Sequence, residues 1–361
     1  MTDNIKIDIN SGVHANVGFD FQRHSCIYIF LEKYNELKNL NYFIMLEHYD
    51  DIIFGILNQH SELKSLHTFQ AKKSSSEWTN ARLYEILKKI MNVGIETAKD
   101  NLTKSHDYLQ NHYFVTNNTI NINYKNKSSK KNYLVNETNE QVCIDTLDDE
   151  IKNSLLKGNK KISYTTDELS FLKNIHFRFI DLGRNSDSQK NLLVGKFQEV
   201  FKDAIVDHRA ALDTLVLHLQ KIETKYNQGD KLFLEDKHKR IEASTINEII
   251  NILTTNKLAI EFCRKNAKEI FKILRITIFD QEIFLLEYEN SLDRFKDLTQ
   301  SEHKKIFNYI EKNKILILNQ IELLDSIDLI YQKYIADNTP ILSEIHLKAA
   351  ISAACFLITK M

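Results

Sequence analysis

Glu47, Asp50 and Asp51 stand close together in the chain, and Gln70 and Lys72 follow two residues apart. Phosphodiester hydrolysis needs an activated water, a neutralised phosphate and a stabilised leaving oxygen. A divalent ion on hard oxygen ligands supplies most of this. Asp51 is the natural anionic ligand, Gln70 can offer its amide oxygen, and Asp50 is a further metal candidate. Lys72 can position or deprotonate the water and stabilise charge on the phosphate. Positions i and i+2 of a strand share a face, so Gln70 and Lys72 project together. Strand alternation would let only one of Asp50 and Asp51 point inward, and Asp51 is the choice because it leads into an apolar run. Upstream, Gly18-Phe19-Asp20-Phe21-Gln22 is read as opening a helix whose N-terminus suits phosphate, with Gln22 in reach of the site. The plainer alternative makes Asp50 and Asp51 turn residues, and Gln70 and Lys72 the wet side of an edge strand.

Stepping outward, the elements that must hold these residues follow from periodicity. Ser25–Leu37 reads as a helix with Ile27, Phe30, Leu31 and Tyr34 on one face. Asn41–His48, Asp51–Leu57 and Leu66–Lys72 read as strands, rich in β-formers. Asn80–Leu102 is a strongly amphipathic helix with Asn80 as its cap, and His112–Thr116 is a fourth strand. The order is α-β-β-β-α-β. Tyr124–Tyr133 is polar and basic and reads as an exposed loop, solvated or tracking DNA phosphates. Beyond about residue 145 the pattern is almost wholly helical: Asp187–Tyr226, Thr245–Ile278, Asp280–Asp297, Glu302–Tyr334 and Leu342–Thr359. Ile175–Leu182 is the exception, an alternating strand, and Asn227–Arg240 reads as a hinge. The domain expectation is 1–145 for the α+β part and 146–361 for a helical part.

Composition sets bounds but does not choose a function. Lys plus Arg is 48 against 49 Asp plus Glu, so a nucleic-acid partner would have to be met by a local basic surface. The four cysteines have no CxxC spacing, which argues against a zinc site or a disulfide framework. One proline and eight glycines favour long helices over a turn-rich all-β fold. The polar start lacks an apolar signal segment, and no run is long enough to span a bilayer, so a cytoplasmic protein without membrane partners is expected. No P-loop, GxSxG or Gly-rich dinucleotide turn occurs. His24, His48 and His67 lie near the candidate site and read mainly as structural, His48 with DNA contact as its alternative. His208-Arg209 and His238-Lys239-Arg240 read as solvated basic spots, and Trp78 as a residue that packs its loop down.

The segments GFDFQRHSCIYIFLEKY, EHYDDIIFGI and HTFQAKKSSSEWT together resemble bacterial anti-phage effector nucleases with the PD-(D/E)xK, restriction-endonuclease-like core. These occur as nuclease domains of CBASS effectors and nuclease subunits of Lamassu systems. The resemblance spans about residues 12–118. It implies a double-stranded DNA substrate, Mg²⁺ or Mn²⁺ as cofactor, Asp51 as the ligating aspartate, Gln70 as a variant of the acidic position and Lys72 as the catalytic lysine. Glu47, Asp50 and Gln22 match positions around the site. Gln70 leaves the site one carboxylate short of the family pattern.

The resulting expectation is a Mg²⁺-dependent DNA endonuclease that acts as an abortive-infection effector, with a helical region for assembly. The helical part does not read as a nucleotide-sensing module, which favours a stand-alone nuclease subunit. A homo-oligomer is expected, and the resemblance implies an SMC-like or HerA-like ATPase partner with an accessory subunit. Activation would come by oligomerisation or release. Two alternatives stand beside it: a helical scaffold with a degenerate core, and a nuclease acting on RNA or single strands.

Overall fold

A computed structural model describes residues 11–126, 130–205, 207–225, 233–295 and 301–360. The chain divides into two compact units, one formed by 1–203 with 207–248 and the other by 204–206 with 249–361.

The first unit opens with α1 (Ser11–Leu37), which starts well before the expected helix. Gly18–Gln22 therefore lies inside α1 and not at its N-terminus. No proline interrupts the run, and a helix propagates cheaply once begun. Three antiparallel strands follow: β1 (Asn41–Leu46), β2 (Ile52–Leu57) and β3 (Leu63–Lys72). β1 is buried on both faces from Tyr42 to Leu46, which accounts for its unbroken apolar sequence. Gly55 sits opposite Phe43, and a Cβ there would overlap the Phe43 ring. The two-residue β4 (Trp78–Thr79) leads into α2 (Asn80–Ala98), which buries Leu83, Leu87, Ile90 and Met91 along one stripe. β5 (Lys104–Thr116) then returns parallel to β3, so α2 is the crossover of a βαβ unit. Asn80 does not cap α2. Thr79 holds the cap position, and the Asn80 side chain exchanges hydrogen bonds with the Asn123 backbone.

The segment read as a loop at Tyr124–Tyr133 is instead a hairpin of β6 (Ile120–Lys125) and β7 (Lys130–Val135), with residues 127–129 outside the described residues. Ile120, Ile122 and Val135 face the core, while the outer face keeps Asn and Lys in water. With β4 it forms a small three-stranded sheet. β8 (Gln141–Cys143), helices α3 (Asp149–Leu156) and α4 (Thr166–Ser170), and β9 (Ile175–Phe179) come next, followed by α5 (Ser186–Phe201), α6 (His208–Glu223) and β10 (Ile241–Glu242). Among the described residues the main sheet has the order β10-β1-β2-β3-β5-β9-β8.

Strands from both sides of residue 145 thus share one sheet, and the expected boundary falls inside the first unit. The strand expected at Ile175–Leu182 is β9, paired parallel to β5, whereas β8 and β10 are too short to carry a readable alternation. Residues 227–232 of the expected hinge lie outside the described residues, and the rest of that segment leads into β10. The basic spot His238-Lys239-Arg240 is not solvated as a whole. Lys239 is buried and donates to the carbonyls of Ile222 and Glu223 at 2.7 and 3.0 Å, closing the C-terminal end of α6. Arg240 is buried over the Phe43 ring at 3.8 Å.

The second unit is helical. It takes in α7 (Ala243–Ile273) from residue 249 onward, α8 (Gln281–Arg294), α9 (Ser301–Lys312), α10 (Lys314–Leu318), α11 (Leu323–Asp337) and α12 (Glu344–Lys360). Its core joins Phe284, Tyr288, Ile310, Ile330 and Tyr334 to the small face of α12, where Ala349, Ala350, Ala353 and Ala354 allow close helix approach. No helix among the described residues is long and apolar enough to cross a membrane. The four cysteines are free thiols, three of them buried.

Candidate active site

The turn between β1 and β2 sets the first half of the site. It is closed by hydrogen bonds from Glu47 N to Asp51 O (3.1 Å) and from His48 N to Asp50 O (3.2 Å). Glu47 takes φ 48°, a left-handed conformation uncommon outside glycine and found where a turn is tightly constrained. β2 begins only at Ile52, so Asp50 and Asp51 belong to the turn and escape strand alternation. Both are buried, against the expectation that only one could point inward.

β3 supplies the second half. Ile52 pairs with Phe69, which places Asp51 across from Gln70 at the next step. Gln70 pairs with Phe114 on β5, and Phe114 joins the core under α2, so Thr68, Gln70 and Lys72 lie on the α2 face of the sheet. Asp51 Oδ2 is the meeting point. It accepts from Gln70 Nε2, from Ala71 N at 3.0 Å and from Lys72 Nζ at 3.3 Å. Asp50 Oδ1 accepts from Asp51 N at 3.0 Å. From α2, Lys89 Nζ comes within 3.5 Å of Asp51 Oδ1 and 3.8 Å of Asp50 Oδ1.

Electrostatics follow from this crowding. Burial, and then the Asp51 charge, raise the Asp50 carboxyl well above the ordinary carboxylate range, with Lys89 opposing. Burial, then the charges of Asp51 and Glu223, push Glu47 up to about 6. Burial pushes His48 down to about 4, which leaves a neutral ring packed against Tyr49. His67 likewise falls to about 4. His24 bonds Gln189 at 2.7 Å. Trp78 is buried, donates to Thr116 Oγ1 at 2.8 Å and is covered by Arg82, so it packs.

The structure therefore brings together Asp50, Asp51, Gln70 and Lys72. Glu47 lies in the same turn and within reach of their charges. Gln22 is buried on α1, and among the described residues no hydrogen bond ties it to that group. Its neighbour Arg23 pairs with Asp20 and Glu223, both at 2.5 Å. Sequence reasoning does not single out Lys89 or Glu223, and it reads Lys239 only as part of a solvated basic spot. Lys89 flanks the apolar stripe of α2 like any solvated lysine, and no local pattern marks Glu223.

Whether these residues suit a metal can be judged from their oxygens. Among the described residues, no three Cys, His, Asp or Glu side chains converge on a metal position. What converges is two carboxylates and an amide. Buried oxygens without a hydrogen-bond partner gather in this region: Gln70 Oε1, Asp50 Oδ2 and Glu47 Oε1, with Gln22 Oε1 on α1. Leaving such acceptors unsatisfied costs about 1–3 kcal/mol each. Hard oxygen donors of this kind fit a Mg²⁺-like ion, with Gln70 standing where a third carboxylate would add charge.

None of the curated proteins and none of the solved structures compared with the chain matches it. A family model described as "Cap4, dsDNA endonuclease domain" matches residues 10–216. That span contains the whole Asp50–Asp51–Gln70–Lys72 constellation and every strand of the main sheet described above except β10. It covers more than half of the 361 residues, and the chain belongs to the family of Cap4 double-stranded DNA endonuclease domains, nucleases of anti-phage defence.

Proposed function

We propose that the chain is a divalent-metal-dependent endonuclease for duplex DNA, with Asp51, Asp50 and the Gln70 amide oxygen as metal ligands and Lys72 as the working lysine. The observation that carries this reading is the convergence of Gln70 and Lys72 on Asp51 beside buried oxygens that have no partner. A bound Mg²⁺ or Mn²⁺ would supply Lewis acidity and charge neutralisation at the phosphate. The chain's own groups do the rest. Ala71 N fixes Asp51 from below. Lys72 is held by Asp51 but keeps 38% of its side chain exposed, so its ammonium can reach a phosphate oxygen and steady charge as the bond breaks. Glu47, with its raised pKa, is suited to exchange a proton with water near neutral pH. Gln22, buried on α1 with its Oε1 unpartnered, is proposed as a further residue of the site.

The helical unit fits an assembly role. Ile278, Phe279, Ile321 and Ile341 are 89%, 86%, 99% and 78% exposed, apolar side chains that self-association or a partner would cover. Two copies would offer one site to each strand of a duplex, which makes assembly a means of control in a defence effector. An ATPase partner of SMC-like or HerA-like type and an accessory subunit rest on the family resemblance alone.

The test is cleavage of supercoiled plasmid, single-stranded DNA and RNA by purified protein over a range of concentrations, with Mg²⁺, with Mn²⁺ and with EDTA. Duplex cleavage that needs metal and rises more steeply than linearly with protein is expected. Cleavage persisting in EDTA, or confined to RNA or single strands, would overturn the reading.

A further inference from the structure

Lys88 and Lys89 are neighbours on α2 and diverge. Lys88 Nζ donates to Ser163 O at 2.8 Å and faces Glu168 at 3.5 Å, away from the site. Lys89 turns inward to Asp51 Oδ1 and Asp50 Oδ1. Asp51 Oδ1 is the oxygen the strands leave open, because Gln70, Ala71 and Lys72 all crowd onto Asp51 Oδ2, while Asp50 Oδ1 accepts from Asp51 N at 3.0 Å. Among the described residues, Lys89 is the cation that spans both carboxylates.

We infer that Lys89 is a positioning residue that occupies the Asp50–Asp51 carboxylates in the metal-free site and competes with the divalent ion for them. The inference rests on the metal-dependent reading of the site. A divalent ion must sit about 2.0–2.6 Å from its oxygen ligands, and an ammonium on the same two oxygens would be repelled by it. Lys89 can give way. Its side chain is 48% exposed, and its four-carbon stem lets the ammonium swing into solvent. Once displaced, that ammonium is a mobile point charge at the rim of the site, where an incoming DNA phosphate is its natural partner. Metal loading and DNA capture are thereby coupled. The free protein holds metal weakly, and a bound duplex, by engaging Lys89, leaves the carboxylates open to the ion.

The test reads metal binding and not cleavage. Free Mn²⁺ is followed by electron paramagnetic resonance during titration of the full chain, without DNA, for the wild type, Lys89→Met, Lys89→Arg and Asp51→Asn. Lys89→Met is expected to bind Mn²⁺ about five- to tenfold more tightly than wild type, the scale of losing one partly screened ion pair. Lys89→Arg is expected to stay within about twofold of wild type, and Asp51→Asn to lose the site. Equal or weaker binding by Lys89→Met, with Asp51→Asn inactive in binding, overturns the competition and leaves the metal reading intact. Binding that survives Asp51→Asn, or that is absent from wild type and Lys89→Met alike, overturns the metal reading and the inference with it.

Discussion

At the scale of single residues, the two oxygens of Asp51 divide the labour: one is held by β3, the other faces α2. The Glu47–Asp51 turn concentrates three carboxylates in a volume that burial makes poorly screening, which has a consequence for pH. The folded-state pKa of Glu47 lies near 6, above its ordinary value. Its proton therefore contributes stability below the unfolded pKa, and that contribution is lost as pH rises through about 6. Glu47→Gln should accordingly stabilise the metal-free protein by about 1 kcal/mol at pH 8, after allowance for partial exposure, and by less than about half of that at pH 5. Guanidinium unfolding in EDTA at the two pH values measures this, and an equal gain at both would refute it. The comparison with wild type is needed because buried His48, His67 and His112 work in the opposite direction. Their lowered pKa values, about 4, 4 and 3, make acidification below about 6.5 destabilising.

At the scale of elements, β1, β2 and β3 were legible because each is long enough to show β-rich apolar content, and α2 because its stripe repeats over five turns. Gln70 and Lys72 were legible as a same-face pair for the same reason. The inward placement of both Asp50 and Asp51 was not, since it depends on where the turn ends and β2 begins. β4 and β10 have two residues each and β8 three, which is below the length at which a period of two can be seen. The hairpin β6–β7 does alternate, but its Asn and Lys content masks the buried Ile120, Ile122 and Val135. α6 and β10 matter more than their modesty suggests. Glu223 ends α6 and holds Arg23, Lys239 closes the same helix end, and β10 covers the edge of β1. A chain ending at residue 248 should therefore fold, whereas one ending at 216, where the family match ends, should lose Leu219, Ile222 and the β10 pairing and melt at least about 5 °C lower. Circular dichroism melts of the two fragments decide this, and equal melting temperatures would contradict it.

At the scale of the whole molecule, the chain joins a sheet-based nuclease unit to a helical unit with its own core. Helical content and the scarcity of proline and glycine announced the second unit. The boundary differs because the chain returns to the sheet twice beyond residue 145, at β9 after α3 and α4 and at β10 after α5 and α6. The first unit carries every residue proposed for chemistry, and the second carries exposed apolar side chains but no comparable constellation among the described residues. Activity is thus expected to depend on the Asp51 neighbourhood and to be tuned by assembly elsewhere.

The most direct test of that claim is metal-dependent cleavage of supercoiled plasmid by Lys72→Ala beside wild type, at matched protein concentration and with thermal melts to show that both are folded. Lys72→Ala is expected to melt within a few degrees of wild type and to cleave at least about 100-fold more slowly, the scale of losing a group that stabilises the transition state. Cleavage by folded Lys72→Ala at the wild-type rate would contradict it.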